Sequence, residues 1–240
     1  MPQRSELENN LTSISAFLKA VNPYLNLIKD RGLRKRVKET LIASATKYPV
    51  AGGDPVKYYE SPAAKFHHHN YPGGLLQHTL STTRIALELS RVIRSVYRIK
   101  VKTDIVLCGV LLHDAFKPST YVKREDGSYA DSRLGFMLDH QYLIASEMLS
   151  RGFTLEQIHA VASAHGDYGI VKPRTVEALI VFLADFSDSR FNGELLKAAY
   201  AIAKEVTGRQ PPTLDALQAF RIIDSMKKGG AEAVRDLLGR

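Results

Sequence analysis

The sequence predicts an all-α protein, and three observations carry that expectation. Apolar residues recur at helical spacing along most of the chain. No alternating period-two run is long enough to require a sheet. Two segments, DIVLCGVLLHD and VEALIVFLADF, are apolar on nearly every side, the pattern of helices surrounded by protein. With 240 residues, 45% of them apolar, the chain can bury a full core and does not read as disordered.

The elements follow in order. Helices are expected over 5–20 and 23–47, within an arm of residues 1–50 that packs on the rest. The segment YPVAGGDPVKYYESPAAKFHHHNYPGG reads as irregular because Pro and Gly interrupt it. Periodicity then predicts helices over 75–98 and 103–115. Residues 116–134 read as a polar loop with a small hairpin at Asp126-Gly127. Further helices are expected over 135–151, 154–165, 174–190, 194–206, 213–228 and 230–238. Thr154 and Gln157 supply a capping box for the 154–165 helix. The whole reads as a single domain, with its core over 60–190 and C-terminal helices over 191–240.

Placing the histidines on these helices brings out the chemistry. His78 shares a face with Ile85, Leu89, Val92 and Val96, so it points inward. His113-Asp114 closes a buried helix, where an ionised Asp needs a partner. His140 aligns with Phe136, Ile144 and Glu147, and His165 continues the stripe Ile158, Val161, Ala162. Asp185 lies with Ala178, Val181 and Phe182. Singly, each inward His reads as a core residue bonded to backbone. Together, four His and two Asp from five helices form the ligand set of a transition-metal site. His159 falls off the inward stripe and reads as surface. His67, His68 and His69 lie in the irregular segment, where loop polarity accounts for them and site lining is the alternative.

Charge and cysteine content narrow the partners. The formal net charge is +8, with basic clusters at KDRGLRKRVKE (29–39) and along Arg84, Arg91, Arg94 and Arg98. These clusters read either as a solvated face or as a polyanion contact. The single cysteine, Cys108, excludes an internal disulfide framework and leaves His and carboxylate as metal ligands. The N-terminus lacks the apolar stretch of a signal peptide, and no apolar run is long enough to span a bilayer. A cytoplasmic protein with no membrane partner is expected.

In order and residue type, His78, His113-Asp114 and Asp185, with His140 and His165 added, resemble the signature of the HD-domain superfamily of metal-dependent phosphohydrolases. The stretches PAAKFHHHNYPGGLLQHTLS, LLHDAFK, AHG and LAD are most similar to the hydrolase half of the bacterial HD-domain 3'-to-5' exoribonucleases, over about residues 60–190. Unlike those enzymes, this chain has a helical-looking first 50 residues where they carry an OB-fold. The acidic pair of guanosine-tetraphosphate hydrolases and the Gly-Tyr-Pro motif of cyclic-dinucleotide phosphodiesterases are absent from the corresponding positions.

The resemblance implies an HD-domain helical bundle around a buried two-metal site. His78, His113, Asp114 and Asp185 would hold one divalent ion, and His140 with His165 the second, with Asp114 bridging. The ions implied are Mn or Fe, with Mg, Ni and Zn as further candidates. Two such ions acidify a water and clamp phosphate oxygens, so the expected activity is phosphoester hydrolysis, of a nucleotide or of single-stranded RNA or DNA. Asp114 and Lys117 would be catalytic, with Lys117, His68, His69 and Arg84 contacting substrate. Asp188 would orient a ligand or face solvent. Two alternatives carry forward: a di-iron HD-domain oxygenase and a non-catalytic nucleic-acid-binding module.

Overall fold

The structure, a computed structural model, describes residues 4–46, 56–169 and 171–239. Among these the chain is helical apart from one short hairpin and two 3₁₀ turns, in agreement with the all-α expectation. The residue at 47 and the irregular stretch through 55 lie outside the described residues.

Helix α1 (Arg4–Leu25) runs through Pro23, and α2 spans Arg31–Thr46, so the break expected at 21–22 falls at 26–30 instead. A proline near the last turn removes only one helical hydrogen bond. Distant Asp104 and local Asp30 shape the connection. Asp104 accepts hydrogen bonds from the amides of Lys29 (3.0 Å) and Asp30 (2.9 Å), and Asp30 Oδ1 caps α2 by accepting from Leu33 N (2.9 Å). Phe17, Val21, Leu25, Leu33, Val37 and Leu41 then bury against Leu107, Leu111 and Leu112 of α4 (Thr103–Leu112). Every α4 residue from Ile105 to Leu112 is buried, which explains its apolar character on all sides. Each buried Ile, Val or Leu among them is worth roughly 1.5–3 kcal/mol on full burial, so α4 anchors whatever its C-terminal end carries.

Helices α3 (Gly74–Ser95) and α9 (Val176–Thr207) pack against α4 and against each other. The two helices expected over 174–190 and 194–206 are one continuous helix. Gly193, between the two expected spans, lies at a close approach: a Cβ there would be 3.3 Å from the carbonyl oxygen of His67. The far end of α3 runs past the bundle, leaving Val92 and Val96 exposed rather than on an inward stripe. Helix α10 (Ala216–Leu238) covers the C-terminal half of α9 and bends at Gly229-Gly230, where the break between 213–228 and 230–238 is expected.

The expected hairpin is present. After the four-residue helix α5 (Lys117–Thr120), strands β1 (Tyr121–Lys123) and β2 (Tyr129–Asp131) pair antiparallel, with Tyr121 opposite Asp131. The start of this segment is not a polar surface loop, because Lys117, Ser119 and Thr120 are buried. The helix expected over 135–151 is two, α6 (Arg133–Met137) and α7 (His140–Ser150). Asp139 Oδ1 accepts from Gln141 N (2.8 Å), starting α7 afresh. Phe136 is therefore on a separate helix and is exposed, not aligned with His140. Helix α8 (Leu155–Ala162) has the expected capping box at Thr154 and Gln157 but ends before His165.

Candidate metal centre

The end of α4 delivers His113 and Asp114 to the centre of the bundle, where α3, α7, the turn after α8 and α9 bring His78, His140, His165 and Asp185. Four imidazoles converge through Nε2. His78 Nε2 lies 3.3 Å from His113 Nε2, and His140 Nε2 lies 3.0 Å from His165 Nε2. The carboxylate of Asp114 stands between the two pairs. Its Oδ2 is 3.5 Å from both His78 Nε2 and His113 Nε2, while its Oδ1 is 3.3 Å from His140 Nε2 and 3.6 Å from His165 Nε2. Asp185 Oδ1 is 3.1 Å from His78 Nε2.

The opposite nitrogen of each ring is held by a group that can only accept. His78 Nδ1 donates to Asp188 Oδ2 (2.6 Å), His113 Nδ1 to the carbonyl of Val110 (3.1 Å), and His165 Nδ1 to Asp185 Oδ2 (3.0 Å). His140 Nδ1 faces Asp139 Oδ1 at 3.2 Å. Carboxylates and carbonyls lack protons to give, so each Nδ1 carries the hydrogen and each Nε2 presents its lone pair inward. Lone pairs at 3.0 and 3.3 Å repel unless a cation or proton sits between them. Both oxygens of Asp114 are also fully enclosed, and apart from the Lys117 ammonium 2.7 Å from Oδ2 neither has a donor. Orphaned buried carboxylate oxygens facing paired imidazole lone pairs suit divalent cations, and the groups His78–His113–Asp114 and Asp114–His140–His165 could each hold one.

The charges within the cluster hold one another. Burial alone would raise the Asp114 carboxyl, but His113, Lys117 and His140 outweigh it and hold it well below the ordinary range. Asp185 is likewise depressed, with burial overcome by His113, His165 and His78. Burial would lower His78, yet its bonds to Asp185 and Asp188 lift it to about 9. In the absence of metal, a proton takes the place between these groups.

The remaining sequence-predicted residues divide. Lys117 is buried against Asp114, not a surface lysine beside Pro118. Asp188 is buried on α9 against His78, so it does not face solvent. His69 is buried and His68 lines the open side of the site. Their side chains are pushed down to about 2 and about 3, by burial first and then by neighbouring His78 and Lys117, so both rings are neutral at pH 7. Arg84 is elsewhere: its Nε donates to Tyr24 OH (2.7 Å), tying α3 to α1. Arg91 pairs with Glu88 and Arg94 with Thr103, while Arg98 lies beyond α3. His159 is half-buried, its Nε2 accepting from Arg174 N (3.0 Å).

Two residues that sequence reasoning missed belong here. Asp139 supports His140, and the signal was an Asp directly before an inward His at a helix start. Asn192 fixes the histidine loop by accepting from His69 N (2.6 Å) while its Nδ2 donates to Tyr71 OH (2.9 Å). Nothing local in the sequence pointed to it.

The site opens on a cleft of about 540 Å³ with His68, Lys117, His165 and Asp185 on its floor and Phe182, Phe186 and Arg190 on its wall. A helical bundle with this His/Asp constellation defines a metal-dependent phosphohydrolase of the HD type, and the HD domain family model matches residues 75–189. The chain belongs to the HD-domain family.

Among curated relatives, a dihydroneopterin 2',3'-cyclic phosphate phosphodiesterase from Methanocaldococcus jannaschii is 35% identical over 215 residues, covering 88% of this chain and 86% of that protein. The 3'-5' exoribonuclease YhaM of Listeria monocytogenes serotype 4b is 30% identical over 145 residues, 56% of this chain and 44% of its own. The YhaM protein of Geobacillus sp. is 31% identical over 147 residues, 57% and 43%. The chain thus spans under half the length of these exoribonucleases. No solved structure matches at a comparable level. No helix among the described residues is long and apolar enough to cross a membrane.

Proposed function

We propose that the protein is a two-metal phosphodiesterase acting on a small cyclic phosphodiester, a 2',3'-cyclic phosphate carried by a flat heterocycle. The observation that carries the reading is the buried Asp114 carboxylate, with one oxygen toward each histidine pair, beside a cleft that His165, Asp185, Phe182 and Phe186 line. His78, His113, Asp114 and Asp185 would hold one divalent ion and Asp114, His140 and His165 the other, manganese or iron suiting this nitrogen and oxygen donor set. When bound, the ions supply an acidified water and neutralise phosphate charge.

This chain's own residues do the rest. Lys117, kept cationic beside Asp114, offers an ammonium to a phosphate oxygen. Asp188 and Asp139 hold the imidazoles of His78 and His140 in one tautomer. The two phenylalanine rings, with centroids 6.0 Å apart, give a heterocycle an apolar wall. A curated relative matched over 86% of its length is named as a phosphodiesterase for a compound of this class.

The basic row favours a small substrate over a polynucleotide. Arg91 and Arg94 lie thirteen and sixteen residues along α3 from His78, roughly 20–24 Å away by helical rise, and both are engaged within the protein. The test is a panel of nucleoside and pterin 2',3'-cyclic phosphates, bis(4-nitrophenyl) phosphate and single-stranded RNA, across a salt series with the metal-loaded protein. Turnover of the cyclic phosphates with little salt dependence is expected. Stepwise degradation of RNA from its 3' end, with a log-log salt slope of about −0.7 per contacted phosphate, would replace this reading with an exoribonuclease. Oxygen consumption by the iron-loaded protein would indicate the oxygenase instead.

A further inference from the structure

The HHH stretch stands beside the cluster already described and is not used by it. Two of its residues adopt the left-handed region, His67 at φ 75° and His69 at φ 45°, a conformation uncommon outside Gly although His, Asn and Asp enter it more readily than other residues. The loop is locked in that shape. Ala63 N donates to the His69 carbonyl (3.0 Å), Asn192 accepts from His69 N (2.6 Å), and Gly74 leaves room for the His69 backbone where any Cβ would collide with it. Consecutive residues in extended chain point to opposite sides. Here the strain turns both rings to the same side.

The consequence is a fifth and sixth imidazole with converging nitrogens. His68 Nδ1 lies 3.3 Å from His69 Nδ1. Two nitrogens bound to one ion at 2.0–2.1 Å with tetrahedral angles stand about 3.3 Å apart, and the inner pair His78–His113 has the same separation. The outer face of His69 repeats the pattern of the inner histidines, since its Nε2 is turned toward Asp188 Oδ2 at 3.5 Å, leaving Nδ1 as the lone-pair nitrogen. One ligand nitrogen each from His68, His69 and His78 lies within 4.8 Å of the others.

We propose a third, auxiliary divalent-cation position held by His68 Nδ1 and His69 Nδ1 at the edge of the inner cluster, next to His78 and open to the cleft through His68. Two protein ligands and the repulsion of neighbouring ions make it the weakest of the positions. It fills last, with water or substrate oxygen completing its shell. The inference is independent of which phosphoester the protein cleaves.

The experiment is equilibrium dialysis of metal-free protein against Mn²⁺, with ions per chain counted by elemental analysis for the wild type, His68→Ala and His165→Ala. His68 lines the cleft, so its replacement leaves the buried core intact, which circular dichroism checks. The wild type is expected to bind one more ion than His68→Ala, and the ion lost is the one with the highest dissociation constant. His165→Ala loses a tighter ion instead. Equal counts for the wild type and His68→Ala overturn the proposal. A second measurement covers the case of impaired folding: ¹⁵N imidazole spectra of the wild type titrated with Zn²⁺. Movement of both Nδ1 resonances supports the site, whereas a proton persisting on His68 Nδ1 at saturation shows a hydrogen bond between the rings and overturns it. Because the readout is a difference of one ion, it holds whether the inner cluster takes one ion or two, and so fails separately from the two-metal reading.

Discussion

Asp139 performs two tasks that a pair of substitutions separates. Its Oδ1 caps α7 through Gln141 N at 2.8 Å and faces His140 Nδ1 at 3.2 Å. Asp139→Ala removes both, whereas Asp139→Ser keeps a capping oxygen on a side chain too short to reach the imidazole as well. Loss of a cap costs about 1 kcal/mol. In a chain of this size that lowers the melting temperature of metal-free protein by about 2–4 °C. Loss of an outer partner to a ligating His weakens metal binding about 10–100-fold. The Asp139 side chain is 53% exposed, so water partly replaces it and the lower end applies. Tenfold is about 1.4 kcal/mol, or roughly a further 3–6 °C in saturating metal.

The assay is differential scanning calorimetry with and without Mn²⁺, alongside calorimetric titration. Metal-free Asp139→Ser should melt within about 1 °C of wild type yet bind its His140-side ion about tenfold more weakly. Asp139→Ala should show both losses. Wild-type metal affinity in Asp139→Ser, or an unchanged metal-free melting temperature in Asp139→Ala, would refute the assignment.

Further outcomes follow from the same geometry. Asp114→Ala should lose metal at both histidine pairs and all hydrolysis, while His165→Ala keeps the His78 side; elemental analysis showing undiminished metal in the Asp114 variant would remove Asp114 as the bridge. Gly74→Ala drives a methyl into the His69 carbonyl and should destabilise by about 1–3 kcal/mol, read as a lower urea midpoint at unchanged slope. The metal-free protein should lose stability as pH rises from about 6.5 toward 9. His78 is raised to about 9 when folded, so its contribution is complete below its unfolded value of 6.5 and gone above 9. Metal-loaded protein, with His78 Nε2 engaged, should not show this decline, and urea titrations at pH 6, 7.5 and 9 distinguish the two.

Local pattern was enough to place much of this molecule. The inward placement of His78, the all-round apolar character of the helix ending at His113-Asp114, the capping box at Thr154 and the Asp-Gly hairpin each arise from short stretches of sequence. Periodicity and turn chemistry report these directly, because they depend on backbone geometry and on which side of a helix avoids water. What tertiary structure alone decided depends on partners far apart in the chain. Asp104 receives the linker between α1 and α2 from seventy-four residues away. The His67 backbone passes close to Gly193 within α9, which is one continuous helix where two were expected. Lys117 is buried because Asp114 balances its charge, and Arg84 leaves the site because Tyr24 holds it against α1. His68 and His69 stand at the edge of the cluster with help from Asn192, 123 residues beyond His69, which together with Ala63 and Gly74 holds their loop at positive φ. Sequence spacing records which residues share a face of one element. The strain and pairing that join separate elements are set by long-range contacts, to which spacing is blind.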